Sequence, residues 1–266
     1  MPRIEEASAG DGVTLRYRVW GDERPDRRIA LVHSLAMDGT FWSRVAEQML
    51  PDWEILALDC RGHGGSGKPV GPYTVELFAD DLANILDHEG WDRAIVGGAS
   101  MGGCVALAFA ARHSPRVAGL ALVDTTAFYG EDAPKAWEER AQKAVDGGMS
   151  ALVDFQKSRW FSDRFREQET DVVADAVEVF LGNDVQAYVE TCRMLGICDM
   201  RAAMPDFRFP VEIVVGDEDY ATPIPMAQAM HDAIPNSRLT ILEGARHFTP
   251  LERHEQIAWH LRHLAG

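Results

Sequence analysis

The sequence predicts an α/β fold: one mostly parallel, twisted sheet of about eight strands, helices on both faces, and a helical insertion. Three observations carry that prediction. Through residue 125, short apolar runs ending in Gly, Asp or His alternate with amphipathic stretches of helical period. From about 126 to 207 the strand-like runs vanish and only helical periodicity is left. At residue 211 the alternation resumes and continues to a final helix.

The elements follow in order. "VTLRYRVW" (13–20) alternates with period two, which predicts an antiparallel strand. "RIALVH" (28–33), "EILALD" (54–59), "RAIVGG" (93–98) and "VAGLALVD" (117–124) lack that alternation and suit parallel strands buried on both faces. Helices are expected between them at about 40–49, 74–89 and 101–112. "WEERAQKAV", "MSALVDFQKSRWF", "VVADAVEVFL" and "VQAYVETCRML" are helical in period. Then come a strand "VEIVVG" (211–216), a helix after "TPIPMAQAM", a strand "RLTILE" (238–243) and an amphipathic helix from about 251. The implied organisation is a core of residues 1–125 and 208–266, interrupted by a helical lid over 126–207.

Composition narrows the partners. The 26 basic and 42 acidic residues leave a net charge of −16. That field repels phosphate backbones and argues against nucleic acid. An anionic small substrate would need local Arg or Lys to hold it. The opening "MPRIEEASAGDG" has no apolar h-region, so no signal peptide is expected, and no run is long enough to span a membrane. Cys60, Cys104, Cys192 and Cys198 form no CxxC pair. Reduced structural thiols in a cytoplasmic protein are the expectation.

One loop carries a nucleotide-like spacing. In "EILALDCRGHGGSGKPVGP" a strand leads into Gly62, Gly64 and Gly67, followed by Lys68. A phosphate-binding loop needs Ser or Thr after the Lys and a helix starting there. Pro69 fills that position, and helical period returns only near Thr74. These glycines therefore read as a breaker-rich crossing on the upper rim of the sheet, and no nucleotide, metal or other cofactor is expected.

The sharper signal is Gly98-Ala99-Ser100-Met101-Gly102, set between a buried-type strand and a strong helix. A serine on a sharp strand-to-helix turn needs small neighbours, and the turn lifts its hydroxyl clear of the sheet. That hydroxyl is a poor nucleophile until a base takes its proton. His247, in "LEGARHFTPLE" after the last strand, is the candidate base. His63, His254, His260 and His263 read as surface residues. The base in turn needs a carboxylate to fix its tautomer. Asp219, in "VVGDEDYATP", is the first choice, with Asp217 the near alternative and Asp124 the third. An oxyanion needs two backbone N–H donors. Met101, after the serine, and Leu35, past the strand "IALVH", are the candidates.

In order, "LVHSLAMDGTFW", "LDCRGHGGSGKP", "GGASMGG", "VVGDEDYATP" and "GARHFTPLE" resemble the landmarks of the α/β-hydrolase fold family, over essentially the whole chain. The order Ser100, Asp219, His247 is that family's order. Within it, the chain is most similar to 3-oxoadipate enol-lactone hydrolases. That likeness rests on "HSLAMDGTFW", on "PYTVELFADDLANILDHEGWDRAIVGGASMGG" and on the lid stretch "AWEERAQKAVDGGMSALVDFQKSRWFSDRFRE". His33 and Ala36 depart from it, standing where those lactonases often have Asn and Gly, and "LGNDVQAYVETCRMLGICDM" follows only loosely. The resemblance implies cofactor-free cleavage of a small ester or lactone through an acyl-enzyme, beneath a lid that shapes the pocket. Trp137, Arg140, Trp160 and Phe161 are the lid candidates for lining it, and Arg140 or Arg159 could pair a substrate carboxylate. A carbon–carbon bond hydrolase of the meta-cleavage type, a general carboxylesterase and a ligand receptor on the same fold stay open, as does the oligomeric state.

Overall fold

The computed structural model describes residues 1–264. Eight strands form one sheet: β1 (Arg3–Ser8), β2 (Thr14–Trp20), β3 (Arg28–Val32), β4 (Glu54–Leu58), β5 (Ala94–Ala99), β6 (Val117–Val123), β7 (Val211–Gly216) and β8 (Ser237–Leu242). Their spatial order is β1-β2-β4-β3-β5-β6-β7-β8. The first two pairings, β1 with β2 and β2 with β4, are antiparallel, and every other pairing is parallel. Every residue of β4, β5 and β7 is buried. This is why their sequences are apolar on both faces apart from Glu54 and Glu212, which pair with Arg28 (3.0 Å) and Arg238 (2.8 Å).

Strand β1 has no counterpart in the sequence reading. It is an exposed edge strand carrying Glu5 and Glu6, so it shows neither an apolar run nor a clean alternation. Charged edges of this kind discourage pairing with other chains.

The helices of the core are α1 (Ser43–Met49), α2 (Val75–His88) and α3 (Met101–Arg112). Five follow between β6 and β7: α4 (Ala133–Gly147), α5 (Val153–Trp160), α6 (Asp163–Gln168), α7 (Thr170–Leu181) and α8 (Val185–Gly196). The last are α9 (Ile224–Ala233), α10 (Thr249–Glu252) and α11 (His254–His263). The insertion is helical as expected, apart from one isolated bridge between Phe128 and Asp199. The terminal helix is split in two at Arg253, whose backbone leaves helical geometry.

The strand order decides where chemistry can sit. From β3 the chain crosses one way to β4, then back past β3 to β5 and onward the other way. Right-handed crossovers in opposite directions put α1 on one face and α2 and α3 on the other. Accordingly α1 packs on α11, and α2 on α3. A crevice therefore opens at the carboxyl ends of β3 and β5, where loops part to opposite sides.

The glycine loop after β4 is filled from within. Asp59 accepts from Gly39 N (2.8 Å) and Gly65 N (2.9 Å) and pairs with Arg18. A Cβ at Gly64 (φ +48°) would stand 2.4 Å from the Asp59 carboxylate. The loop's amide donors thus hold an internal anion, and the glycines make room for it. Next to it, buried Arg61 pairs with Asp81 (2.6 Å) and Asp11 (2.8 Å).

Two histidines read as surface residues are buried: His63 is 1% and His260 8% exposed. Each has a partner from a distant element. The His63 ring lies 5.1 Å from that of His33, and His260 Nδ1 is 2.7 Å from Glu212 of β7. His254 is half-buried and His263 exposed, closer to expectation.

His33 is locked neutral, since Nδ1 donates to Ser34 O (2.7 Å) while Nε2 accepts from Cys60 N (3.0 Å). Burial pulls His33 down to about 4 and, with His33 beside it, His63 down to about 3. Both lie below the unfolded value of 6.5. As pH falls through 6.5 the unfolded chain therefore takes up protons first. Stability present above 6.5 is lost progressively down to the folded values, at up to roughly 1.4 kcal/mol per pH unit for each ring. The urea midpoint should drop steeply between pH 6.5 and 4. In His33→Asn, whose amide oxygen can still accept from Cys60, that drop should be shallower. Equal slopes in denaturation curves would contradict this account.

Candidate active site

Ser100 follows β5 directly, with φ 53° and ψ −116°. A positive φ is uncommon for a residue with a side chain and is held only by its surroundings. Here Ser100 N donates to Val123 O (2.9 Å), while Ser100 O accepts from Gly103 N (2.9 Å) and Thr125 Oγ1 (2.6 Å). The flanking glycines are required by approach. A Cβ at Gly98 would lie 2.0 Å from Gly102 O, and one at Gly102 would lie 2.1 Å from Val32 O. Both obstacles are backbone and cannot swing away. Gly102→Ala should therefore cost at least about 3 kcal/mol, measured by urea unfolding, or fail to fold.

The hydroxyl that this turn presents meets His247. His247 Nε2 is 2.9 Å from Ser100 Oγ, and its Nδ1 is 2.8 Å from Asp219 Oδ2. A carboxylate can only accept, so Nδ1 carries the proton and Nε2 is left to accept from the serine. Asp219 sits in the turn after β7 and accepts from Ala221 N (2.7 Å), Thr222 N (2.9 Å) and Thr222 Oγ1 (2.8 Å). Burial alone would raise its carboxyl. The His247 ring and the Thr222 donors outweigh that and hold it below the usual carboxylate range.

The other two acids weighed from sequence do different things. Asp217 is exposed and accepts from Gly244 N (2.7 Å), closing a surface turn. Asp124 is fully buried at φ 45° and accepts from Gly216 N (3.1 Å), Thr249 N (3.0 Å) and Thr249 Oγ1 (2.5 Å). It joins the turn that carries Asp219 to the turn that carries His247. Burial, and then the Asp219 charge, push its carboxyl well up.

A cavity of about 30 Å³ adjoins the serine, with Leu35, Arg140, Gln156, Arg159 and Trp160 in its wall beside His247. Met101 opens α3 directly behind Ser100. Among the described residues, neither the Leu35 nor the Met101 N–H donates to a backbone acceptor. The loop carrying Leu35 is held by Ala36, at φ 59°, whose carbonyl accepts from Asn183 Nδ2 of the insertion (2.7 Å). A cavity of about 720 Å³ near Arg246 contains neither Ser100 nor His247.

The four lid candidates separate. Arg140 and Trp160 line the cavity at Ser100, whereas Trp137 faces an outer groove. Phe161 lines neither. It is fully buried, stacked on Phe165 (5.1 Å) and edge-on to Phe248 (5.6 Å), so it cements the insertion to the core. Gln156, absent from the sequence reading, is 3% exposed and borders the cavity. Helical period alone places a polar residue of α5 in solvent, and nothing in the sequence signals otherwise. All four cysteines are buried and free. Among the described residues, no helix is long and apolar enough to cross a membrane.

A crevice at the ends of β3 and β5, roofed by helices inserted after β6, marks a class of fold before any name. The model of the alpha/beta hydrolase fold matches residues 28–254, and the chain belongs to that family. Its relatives include 3-oxoadipate enol-lactonase 2 of Acinetobacter baylyi, 28% identical over 94% of this chain and 92% of that one. Among solved structures, the enol-lactonase from Burkholderia xenovorans LB400 superposes with a TM-score of 0.93, at 32% identity over 98% of this chain and 99% of that one. A thermophilic esterase from Thermogutta terrifontis, solved with malate bound, does so at 0.90 and 25% identity, covering 98% and 97%.

Proposed function

We propose that the protein is a carboxylic ester hydrolase of the enol-lactonase kind, acting on a small lactone or ester that bears a carboxylate. The observation that carries this reading is the unbroken hydrogen-bonded chain from Ser100 through His247 to Asp219. The enol-lactonases among its relatives support the substrate class.

In this mechanism His247 Nε2 takes the Ser100 proton as Oγ attacks the carbonyl carbon. The imidazolium that results is stabilised by Asp219, whose carboxylate stays ionised. The oxygen that gains charge is held by the Leu35 and Met101 N–H groups. As the tetrahedral species collapses, the ring carbon–oxygen bond of a lactone breaks. The departing enolate oxygen takes the proton from His247 and stays tethered as part of the acyl chain. Water then gives a proton to His247 and adds to the acyl carbon, releasing the free acid and restoring Ser100.

The substrate's own carboxylate has a partner in Arg140. That guanidinium donates through Nε to Tyr188 Oη (2.7 Å) and lies 4.9 Å from the Trp137 ring. Its other N–H groups are left to point at a ligand.

Two outcomes test the reading. Ser100→Ala should lower kcat more than about a thousandfold on lactones and nitrophenyl esters alike, without loss of fold by circular dichroism. Full turnover in that variant would refute the mechanism. Arg140→Ala should raise KM for an acidic lactone roughly tenfold and leave KM for a neutral ester of similar size near wild type. Equal changes for the two substrates would remove Arg140 from carboxylate recognition.

A further inference from the structure

The cavity at Ser100, about 30 Å³, has room for about one water molecule. A substrate must therefore arrive through a neighbouring space. A groove of about 360 Å³ lies against its outer side, between α4 and α5. Ala136, Arg140 and Lys143 come from one face of α4, and Phe155 and Arg159 from one face of α5, each set at helical spacing. Arg140 and Arg159 are the two residues that border both spaces, so their side chains form the partition.

The charge of this groove is opposite to that of the protein. It contains Arg140, Lys143 and Arg159 against the single acid Glu139, in a chain whose net charge is −16. Glu139 leans towards Lys135, 3.9 Å away. Arg140 donates to the Tyr188 hydroxyl and Arg159 to the Tyr220 carbonyl, both neutral partners, and the Asp219 charge offsets that of Arg159 only in part. Lys143 is exposed at the rim. Each arginine is backed by a ring: Arg140 by Trp137 at 4.9 Å and Arg159 by Phe155 at 5.0 Å. Burial, and then the neighbouring Arg140 charge, pull the Arg159 guanidinium below its usual range. An anion between the two arginines would relieve that repulsion.

The geometry points to this groove as the port by which a small carboxylate-bearing ester or lactone reaches Ser100. Lys143 draws the carboxylate to the rim. Arg159 and Arg140 receive it and, by side-chain rotation, admit it to the cavity, while the ring faces of Phe155 and Trp137 take the carbon skeleton. This assignment rests on the hydrolase reading above, and its tests are chosen to fail separately from that reading.

The route is tested by blocking it. Ala151, exposed on the groove wall, is changed to Cys; the native cysteines are all buried, so a bulky maleimide reacts at the new thiol. Turnover of an acidic and a neutral ester is measured before and after labelling of the same variant. Both should fall at least about tenfold. Ala136→Cys, on the facing helix, repeats the block independently. Turnover retained after labelling at both positions overturns the port, whereas wild-type enzyme that cleaves no ester at all overturns the hydrolase reading instead.

Selection is tested by charge. Lys143→Glu should lower the ratio of kcat/KM for the acidic over the neutral ester about fivefold at low ionic strength, and the effect should vanish near roughly 0.5 M salt. A ratio equal to wild type at low salt overturns the steering role.

Discussion

The site depends on how closely the first turn of α3 approaches the ends of β3 and β5. Gly98 and Gly102 touch across the turn, and Gly102 also rests on the backbone of Val32, at distances no Cβ could occupy. That approach forces Ser100 into a left-handed backbone and leaves the N-terminus of α3 beneath its side chain. It also brings the loop after β3, with Leu35, alongside the serine. One packing constraint thus sets the hydroxyl, the helix N–H groups and the facing loop together. Relaxing it would separate all three.

Around that turn, buried polar groups do the aligning. Asp219 is held by three donors from its own turn, so the carboxylate is oriented independently of the His247 ring. Asp124 then links Gly216 at the start of the Asp219 turn to Thr249 just after His247. From sequence alone, its place at the end of a buried strand makes it a third candidate for the acid. The same place explains what it does here. A carboxylate at the end of β6 lies between the two loops that must stay in register, and its three hydrogen bonds tie them.

What could be read from the sequence follows how far each signal extends along the chain. Buried parallel strands announce themselves as short apolar runs, which makes β3 to β7 legible, while antiparallel β2 shows itself by its alternation of period two. The residues Ser100, Asp219 and His247 could be grouped because each stands in a turn just past a strand, where side chains converge at one edge of a sheet. The remainder depends on contacts between distant segments. Edge strand β1 is polar because most of its residues face solvent at the edge of the sheet. His260 looked solvent-exposed because its partner, Glu212, is 48 residues away. Phe161 looked like a pocket residue because an aromatic in a lid has the same local signature whether it faces ligand or core. The structure gives it to the core, against Phe165 and Phe248. Gln156 was invisible for the converse reason: its burial is created by the core surface beneath α5, which no local pattern records.

The two arginines bound to neutral partners make sense only against the charge of the whole chain. With 42 acidic residues present, folding had ample carboxylates with which to pair every arginine, and Arg61, Arg18 and Arg28 are paired in that way. Arg140 and Arg159 instead hydrogen-bond neutral tyrosine groups, which orient them without discharging them. Two like charges held side by side raise the free energy of the unliganded state, and the return comes only when an anion joins them. The background of −16 sharpens the effect. It repels carboxylates from nearly everywhere else on the surface, so the mouth between α4 and α5 is favoured by contrast as well as by attraction. On the proposed function, selectivity for an acidic ester would be a property of the charge distribution over the whole molecule rather than of the serine.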